Sequence, residues 1–153
     1  MKIMNISRKP GLYIHIPFCI SKCGYCDFYS IVDPSLTNTF IDALLDEIKL
    51  TASRIKIKDC FDTIYFGGGT PSLLTTDQIS AIINTLADSF SINNDCEITS
   101  EINPGTGDTL KFQEMIDVGV NRISIGVQSF IPEELRILER IHTVEESEIS
   151  INC

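Results

Sequence analysis

No stretch of this 153-residue chain approaches the roughly 20 consecutive apolar residues that a membrane-spanning helix needs. Positive charge is scarce: 12 Lys and Arg stand against 21 Asp and Glu, for a net charge of −9. Nucleic-acid binding needs a basic patch over the phosphates, and this balance argues against such a partner. Residues Met1 to Lys9 lack the apolar run of an export signal. The expected compartment is therefore the cytoplasm, where thiols stay reduced. Also missing are a Gly-Lys-Ser/Thr phosphate loop, a G-x-G-x-x-G dinucleotide fingerprint, internal repeats and any low-complexity linker. What remains, with 43% hydrophobic residues, is the composition of one ordinary globular domain.

Against that background the cysteines stand out. Cys19, Cys23 and Cys26 form a C-x3-C-x2-C run in Ile16-Pro-Phe-Cys-Ile-Ser-Lys-Cys-Gly-Tyr-Cys26. Three thiolates can hold three corners of an iron–sulfur cube, whereas clusters held entirely by protein use a fourth. The fourth iron then stays open for a substrate or cofactor. A zinc site would call for paired C-x2-C units and a fourth protein ligand, here His15 or a distant cysteine. A disulfide framework would suit a short secreted chain. The spacing favours the cluster and leaves the other two readings open. Cys60, Cys96 and Cys153 have no motif around them, and Cys60 and Cys96 read as small buried residues.

Short apolar strands alternate with helical periodicity. Leu12–Ile16 reads as a strand entering the cysteine loop. Asp33-Pro34 supplies an N-cap with proline at the first helical position, ahead of a helix with Phe40, Ile41, Leu44, Leu45 and Ile48 on one face. Thr63–Phe66 is a second strand, ending in Gly67-Gly68-Gly69. Thr75 and Gln78 have capping-box spacing before a helix with Ile79, Ile82, Ile83 and Leu86. Glu97–Glu101 is a third strand, followed by a helix carrying Leu110, Phe112, Met115 and Ile116 and stopped at Gly119. Arg122–Gln128 is the fourth strand, and Pro132 opens another helix. This alternation predicts an α/β fold of about four β/α units with parallel strands and right-handed crossovers.

Every chemically suggestive group falls just after a strand. The cysteine loop follows the first, the glycines the second, and Glu101 and Gln128 close the third and fourth. In β/α barrels the C-terminal strand ends carry the active site, so four segments point to one rim. Taken singly, each motif is weak. Gly67–Pro71 allows close backbone approach, yet glycine clusters are often plain turns. Glu101 could accept hydrogen bonds from a ribose or an ammonium group, or be a solvated loop acid. Gln128 could do no more than pin a loop. Arg140 and His142 read as an exposed pair at a helix end, and His15 as a satisfied core histidine.

Together these residues resemble the radical S-adenosylmethionine (SAM) superfamily. More narrowly they are similar to its oxygen-independent coproporphyrinogen III oxidase-like group, in the heme chaperone (HemW-type) branch. The matching stretches are Tyr13–Cys19, Cys23–Phe28, Phe66–Pro71, Glu101–Pro104, Asn121–Phe130 and Arg140–His142. The resemblance implies a partial TIM-like barrel with Cys19, Cys23 and Cys26 binding a [4Fe–4S] cluster and SAM on its open iron. It implies SAM contacts from Tyr13, Tyr25, Gly68, Gly69, Thr70, Glu101, Gln128 and Arg140. In this superfamily one electron from the cluster cleaves SAM to methionine and a 5′-deoxyadenosyl radical. Implied partners are heme or a porphyrin, a reductant such as a flavodoxin or ferredoxin, and an apo-haemoprotein recipient.

The oxidases carry a fourth cysteine two residues after the third; here Phe28 stands there, as in the chaperone form. The alternatives are a coproporphyrinogen III oxidase of heme biosynthesis and a structural metal-binding module or inactive fragment. Residues 1–153 are expected to be the N-terminal part of a radical SAM core domain, without its C-terminal part or the C-terminal domain. Such a piece is expected to leave an open strand edge and an uncovered apolar face, and to be marginally stable.

Overall fold

The computed structural model describes residues 10–55, 60–107 and 109–153. The stretch Met1 to Lys9 read above for an export signal lies outside the described residues. The elements run β1 (Gly11–Ile16), α1 (Thr37–Arg54), β2 (Phe61–Gly68), α2 (Thr76–Ser89), β3 (Ile92–Ile102), α3 (Thr109–Asp117), β4 (Arg122–Ile125), α4 (Pro132–Ile137) and α5 (Val144–Asn152). The four strands form one parallel sheet in the order β1-β2-β3-β4, so all their C-terminal ends lie on one rim.

Local chemistry sets the helix starts. Asp33 accepts from Ser35 N and caps a single 3-10 turn, Pro34–Leu36, which leads into α1. Thr75 and Gln78 form the expected capping box at α2. Thr143 and Glu146 form a second one at α5, a T-x-x-E spacing that the sequence reading passed over.

The two faces of the sheet are chemically unlike. Ile14, Ile16, Ile64, Phe66 and Ile102 point toward the helices and form one buried cluster with Ile41, Ile48, Ile79, Ile82, Leu86 and Met115. On the other face Tyr13, Tyr65, Thr99 and Arg122 stand side by side across all four strands. Tyr13 and Tyr65 stack with ring centroids 6.1 Å apart, and Arg122 Nη1 donates to Thr99 Oγ1 at 3.2 Å. The face without helices therefore carries polar and aromatic side chains, while an open apolar groove lies beside the β1 edge, lined by Leu12, Ile14, Phe40, Leu44, Ile48 and Phe90. Among the described residues the sheet ends at β1 and β4, the open edges expected of it.

Candidate functional site

Backbone pairing closes the base of the rim. Cys19 N donates to Ile31 O (3.0 Å) and Ile31 N to Pro17 O (2.7 Å), closing the cysteine loop at its base. A turn bond from Cys26 N to Cys23 O (3.0 Å) brings the last two cysteines round together. The glycine segment then zips onto this base: Gly69 N donates to Ile16 O (2.8 Å) and Thr70 N to Phe18 O (2.7 Å). A Cβ at Gly69 would lie 2.5 Å from Phe18 O and 2.9 Å from Pro17 C, so only glycine allows the two backbones to meet. Gly68 sits at φ +113°, in the left-handed region.

Side chains complete the rim. Glu101 accepts from Tyr65 OH (2.6 Å) and from Gly68 N (3.3 Å), tying the end of β3 to the end of β2. That bond to Glu101 raises the Tyr65 pKa, because it holds the phenol proton; burial adds to the effect. Tyr13 is also raised, first by burial and then by the Glu101 charge. Arg140 reaches in from beyond α4. Its Nη2 donates to Asn103 Oδ1 (2.6 Å) and Gly126 O (3.0 Å), and its Nη1 to Cys23 Sγ and Tyr25 OH (both 3.4 Å).

These groups enclose a cavity of about 370 Å³. Cys19, Cys23, Cys26, Tyr25, Gly68, Gly69, Thr70, Glu101, Gln128 and Arg140 all line it, as does Phe28. Tyr13 does not. It sits further down β1, more than half exposed, with its hydroxyl 3.2 Å from His15 Nδ1. His15 Nε2 lies 3.0 Å from Tyr29 O, so both ring nitrogens are partnered, as expected, but the ring is half-buried rather than in the core.

Two sequence expectations need correction. Gln128 does not close a strand: β4 stops at Ile125, and Gln128 lies in the following loop at φ +66°. The cause is the neighbour, since β3 ends at Ile102 before Asn103-Pro104, and proline has no N–H for a ladder. Nor are Arg140 and His142 an exposed pair. His142 is only 4% exposed, and its Nε2 lies 3.1 Å from Val127 O. Arg140 and His142 thus hold two successive carbonyls, Gly126 and Val127, and fix the loop that bends at Gln128. Asn103, also on the cavity wall, was missed; its signal was its place two residues after Glu101 in a motif read only for the acid.

Burial lowers the His142 pKa, with the Arg140 charge adding to the shift and the Val127 carbonyl opposing it. The ring is therefore neutral in the fold and gains a proton more readily when unfolded. Stability is full above the ordinary value of 6.5 and falls as pH drops below it, through the lowered folded pKa. Urea midpoints are expected to drop between pH 7.5 and 5.5, and His142→Gln is expected to flatten that dependence. An unchanged slope in the variant would assign it to other groups.

All six cysteines are free thiols, so the disulfide reading fails. Among the described residues no three His, Cys, Asp or Glu side chains are gathered around a point where one metal ion could sit. Three free sulfurs around one large cavity fit a multi-iron group better than a single zinc ion.

The radical SAM superfamily model matches residues 13–152. The chain belongs to this superfamily. It is 42% identical over 143 residues to the heme chaperone HemW of Buchnera aphidicola subsp. Schizaphis graminum, covering 92% of this chain and 38% of that protein. To HemW of Escherichia coli K12 it is 39% identical over 139 residues, covering 90% of this chain and 36% of the relative. Among solved structures, the coproporphyrinogen III oxidase HemN of Escherichia coli, a radical SAM enzyme, superposes with a TM-score of 0.85 at 33% identity. That match covers 95% of this chain and 34% of HemN. The chain thus spans little more than a third of the length of these relatives. The expected α/β fold, a four-stranded part of a radical SAM barrel, is borne out. No described helix is long and apolar enough to cross a membrane.

Proposed function

We propose that this chain forms the cluster- and SAM-binding part of a radical SAM protein of the heme chaperone type. The observation that carries the reading is the convergence of Cys19, Cys23 and Cys26 with Gly68, Gly69, Thr70, Glu101, Gln128 and Arg140 on one cavity. The three thiolates would hold a [4Fe–4S] cluster. A cluster held there would supply the one electron that reductive cleavage of SAM requires. The chain's own residues bind and orient. Gly68 and Gly69 line the wall that a ligand would lie against, and Thr70 adds a hydroxyl. Glu101 has used one acceptor site on each oxygen, and its remaining lone pairs can take a ribose hydroxyl or an ammonium group. Gln128 presents an amide from a bent loop, and Arg140 adds positive charge beside the thiolates. Tyr13 acts from outside the wall, through the Tyr65–Glu101 pair.

Phe28 stands where the oxidases carry their fourth cysteine, and it favours the chaperone branch, as do the HemW relatives. On this reading residues 1–153 correspond to the N-terminal part of the core domain. The whole protein's partners are heme or a porphyrin, a flavodoxin- or ferredoxin-type reductant and an apo-haemoprotein recipient, in the cytoplasm.

The test is anaerobic iron and sulfide content after reconstitution, with EPR of the dithionite-reduced protein before and after SAM. About four irons and four sulfides per chain, with a spectrum that SAM perturbs, support the reading. About one zinc and no sulfide would replace it with a structural metal module.

A further inference from the structure

One hydrogen-bonded arc runs from the first cysteine of the motif to the second, and its centre touches neither. Thr70 Oγ1 donates to Cys19 Sγ at 3.7 Å. Asn103 Nδ2 donates to Thr70 Oγ1 at 2.9 Å. Asn103 Oδ1 accepts from Arg140 Nη2 at 2.6 Å, and Arg140 Nη1 donates to Cys23 Sγ at 3.4 Å. Among the described residues no hydrogen bond reaches the sulfur of Cys26.

The direction of every bond follows from the amide of Asn103. An arginine can only donate, so Arg140 claims the amide oxygen and turns the NH2 toward Thr70. The Thr70 oxygen then receives a hydrogen, and its own hydrogen is free for the one remaining neighbour, Cys19 Sγ. Neither leucine nor aspartate could set this order. Leucine has no polar group, and aspartate would accept the Thr70 hydrogen and withdraw it from the sulfur. Asn103 is itself fixed, because Thr106 N donates to its backbone carbonyl at 3.1 Å and Pro104 behind it is buried.

We propose that Asn103 is a positioning residue of the cysteine site, aiming one donor at Cys19 and another at Cys23 while leaving Cys26 without one. This rests on the reading of the three cysteines as cluster ligands. Hydrogen bonds to ligating sulfur stabilise the more negative, reduced cluster and raise its potential. The arc also links the ends of β2 and β3 with the turn after α4, so the donors are in place before any cofactor arrives.

The experiment is site-resolved alkylation of the metal-free, reduced 153-residue chain with iodoacetamide near neutral pH, read by mass spectrometry, with Cys26 as internal reference. A donor to sulfur favours the reactive thiolate, so its loss slows labelling. Asn103→Leu is expected to slow Cys19 and Cys23 together, about three- to fivefold relative to Cys26. Thr70→Val slows Cys19 alone, and Arg140→Gln, which removes the donor to Cys23 and lets the Asn103 amide turn, slows both. Asn103→Asp keeps an acceptor for Arg140 and slows Cys19 while sparing Cys23. Adding Asn103→Leu to Thr70→Val has no further effect on Cys19. If Asn103→Leu leaves both ratios unchanged, or if Asn103→Asp affects both sulfurs alike, the proposal is overturned. Should Asn103→Leu unfold the chain, shown by a lost thermal transition, the Asn103→Asp ratios decide alone. Because the chain is metal-free, the result stands apart from iron and sulfide content, which tests the cluster reading itself. In a chain that does take up a cluster, Asn103→Leu is further expected to lower its midpoint potential.

Discussion

A Cys23→Ala chain carried through anaerobic reconstitution is expected to retain less than about one iron, against about four expected in the unaltered chain. The reason is the number of anchors. Three cysteines line the cavity, and the other three lie elsewhere in the fold. Cys60 immediately precedes β2, at the opposite end of the sheet from the rim, and its sulfur lies 3.4 Å from Ser91 Oγ. Cys96 is buried in the first half of β3. Neither can step in for a lost ligand without unthreading a strand. Cys60→Ser is accordingly expected to leave iron and sulfide content unchanged. Equal loss in both variants would mean that the metal is held nonspecifically and would remove the basis for the cluster reading.

The second large effect concerns a residue with no functional group. Gly69→Ala places a methyl 2.5 Å from Phe18 O and 2.9 Å from Pro17 C and O. These are backbone atoms, and they cannot swing aside as a side-chain tip would. The bonds from Gly69 N to Ile16 O and from Thr70 N to Phe18 O must stretch to make room. The expected cost is about 3 kcal/mol, a fall in Tm of roughly 6–12 °C for a domain of this size. Gly119 is the informative comparison. It sits at φ +105°, but a Cβ there would meet only Ile98 Cδ1, at 3.8 Å. Gly119→Ala therefore costs only the backbone strain, about 1–2 kcal/mol. Gly69→Ala should also weaken cluster uptake, whereas Gly119→Ala should not, because only the first lies on the rim. Differential scanning calorimetry with iron analysis separates the two.

What the sequence made legible was what neighbouring residues decide. The C-x3-C-x2-C spacing, the Thr75–Gln78 capping box and the Asp33-Pro34 start are each written within a few positions, and each is found in the fold. That the strands run parallel followed from the alternation of strands and helices. What stayed hidden depends on which strand lies beside which. Arg140 meets Asn103 across 37 positions and Cys23 across 117. Nothing near His142 announces that it will be buried against Val127. β4 ends early because its partner runs into Pro104, a property of the neighbouring strand. Of the apolar residues read into α3, a helix of nine residues, Met115 is buried while Leu110 and Ile116 are exposed. The alternation in Leu12–Ile16 was visible, but the polar set Tyr13 and His15 was not followed to the open face of the sheet.

The sequential order β1-β2-β3-β4 gives the site a history as well as a shape. Each new strand joins the edge left by the one before, so the sheet can grow as the chain leaves the ribosome. The three thiols emerge first and the arginine that donates to Cys23 emerges last. At ordinary synthesis rates the interval is on the order of ten seconds. During that time Cys19 and Cys23 lack their donors, and the cavity has no far wall. Docking of the segment around Arg140 is thus the event that turns three loose thiols into a formed pocket, and iron captured earlier would meet a different place.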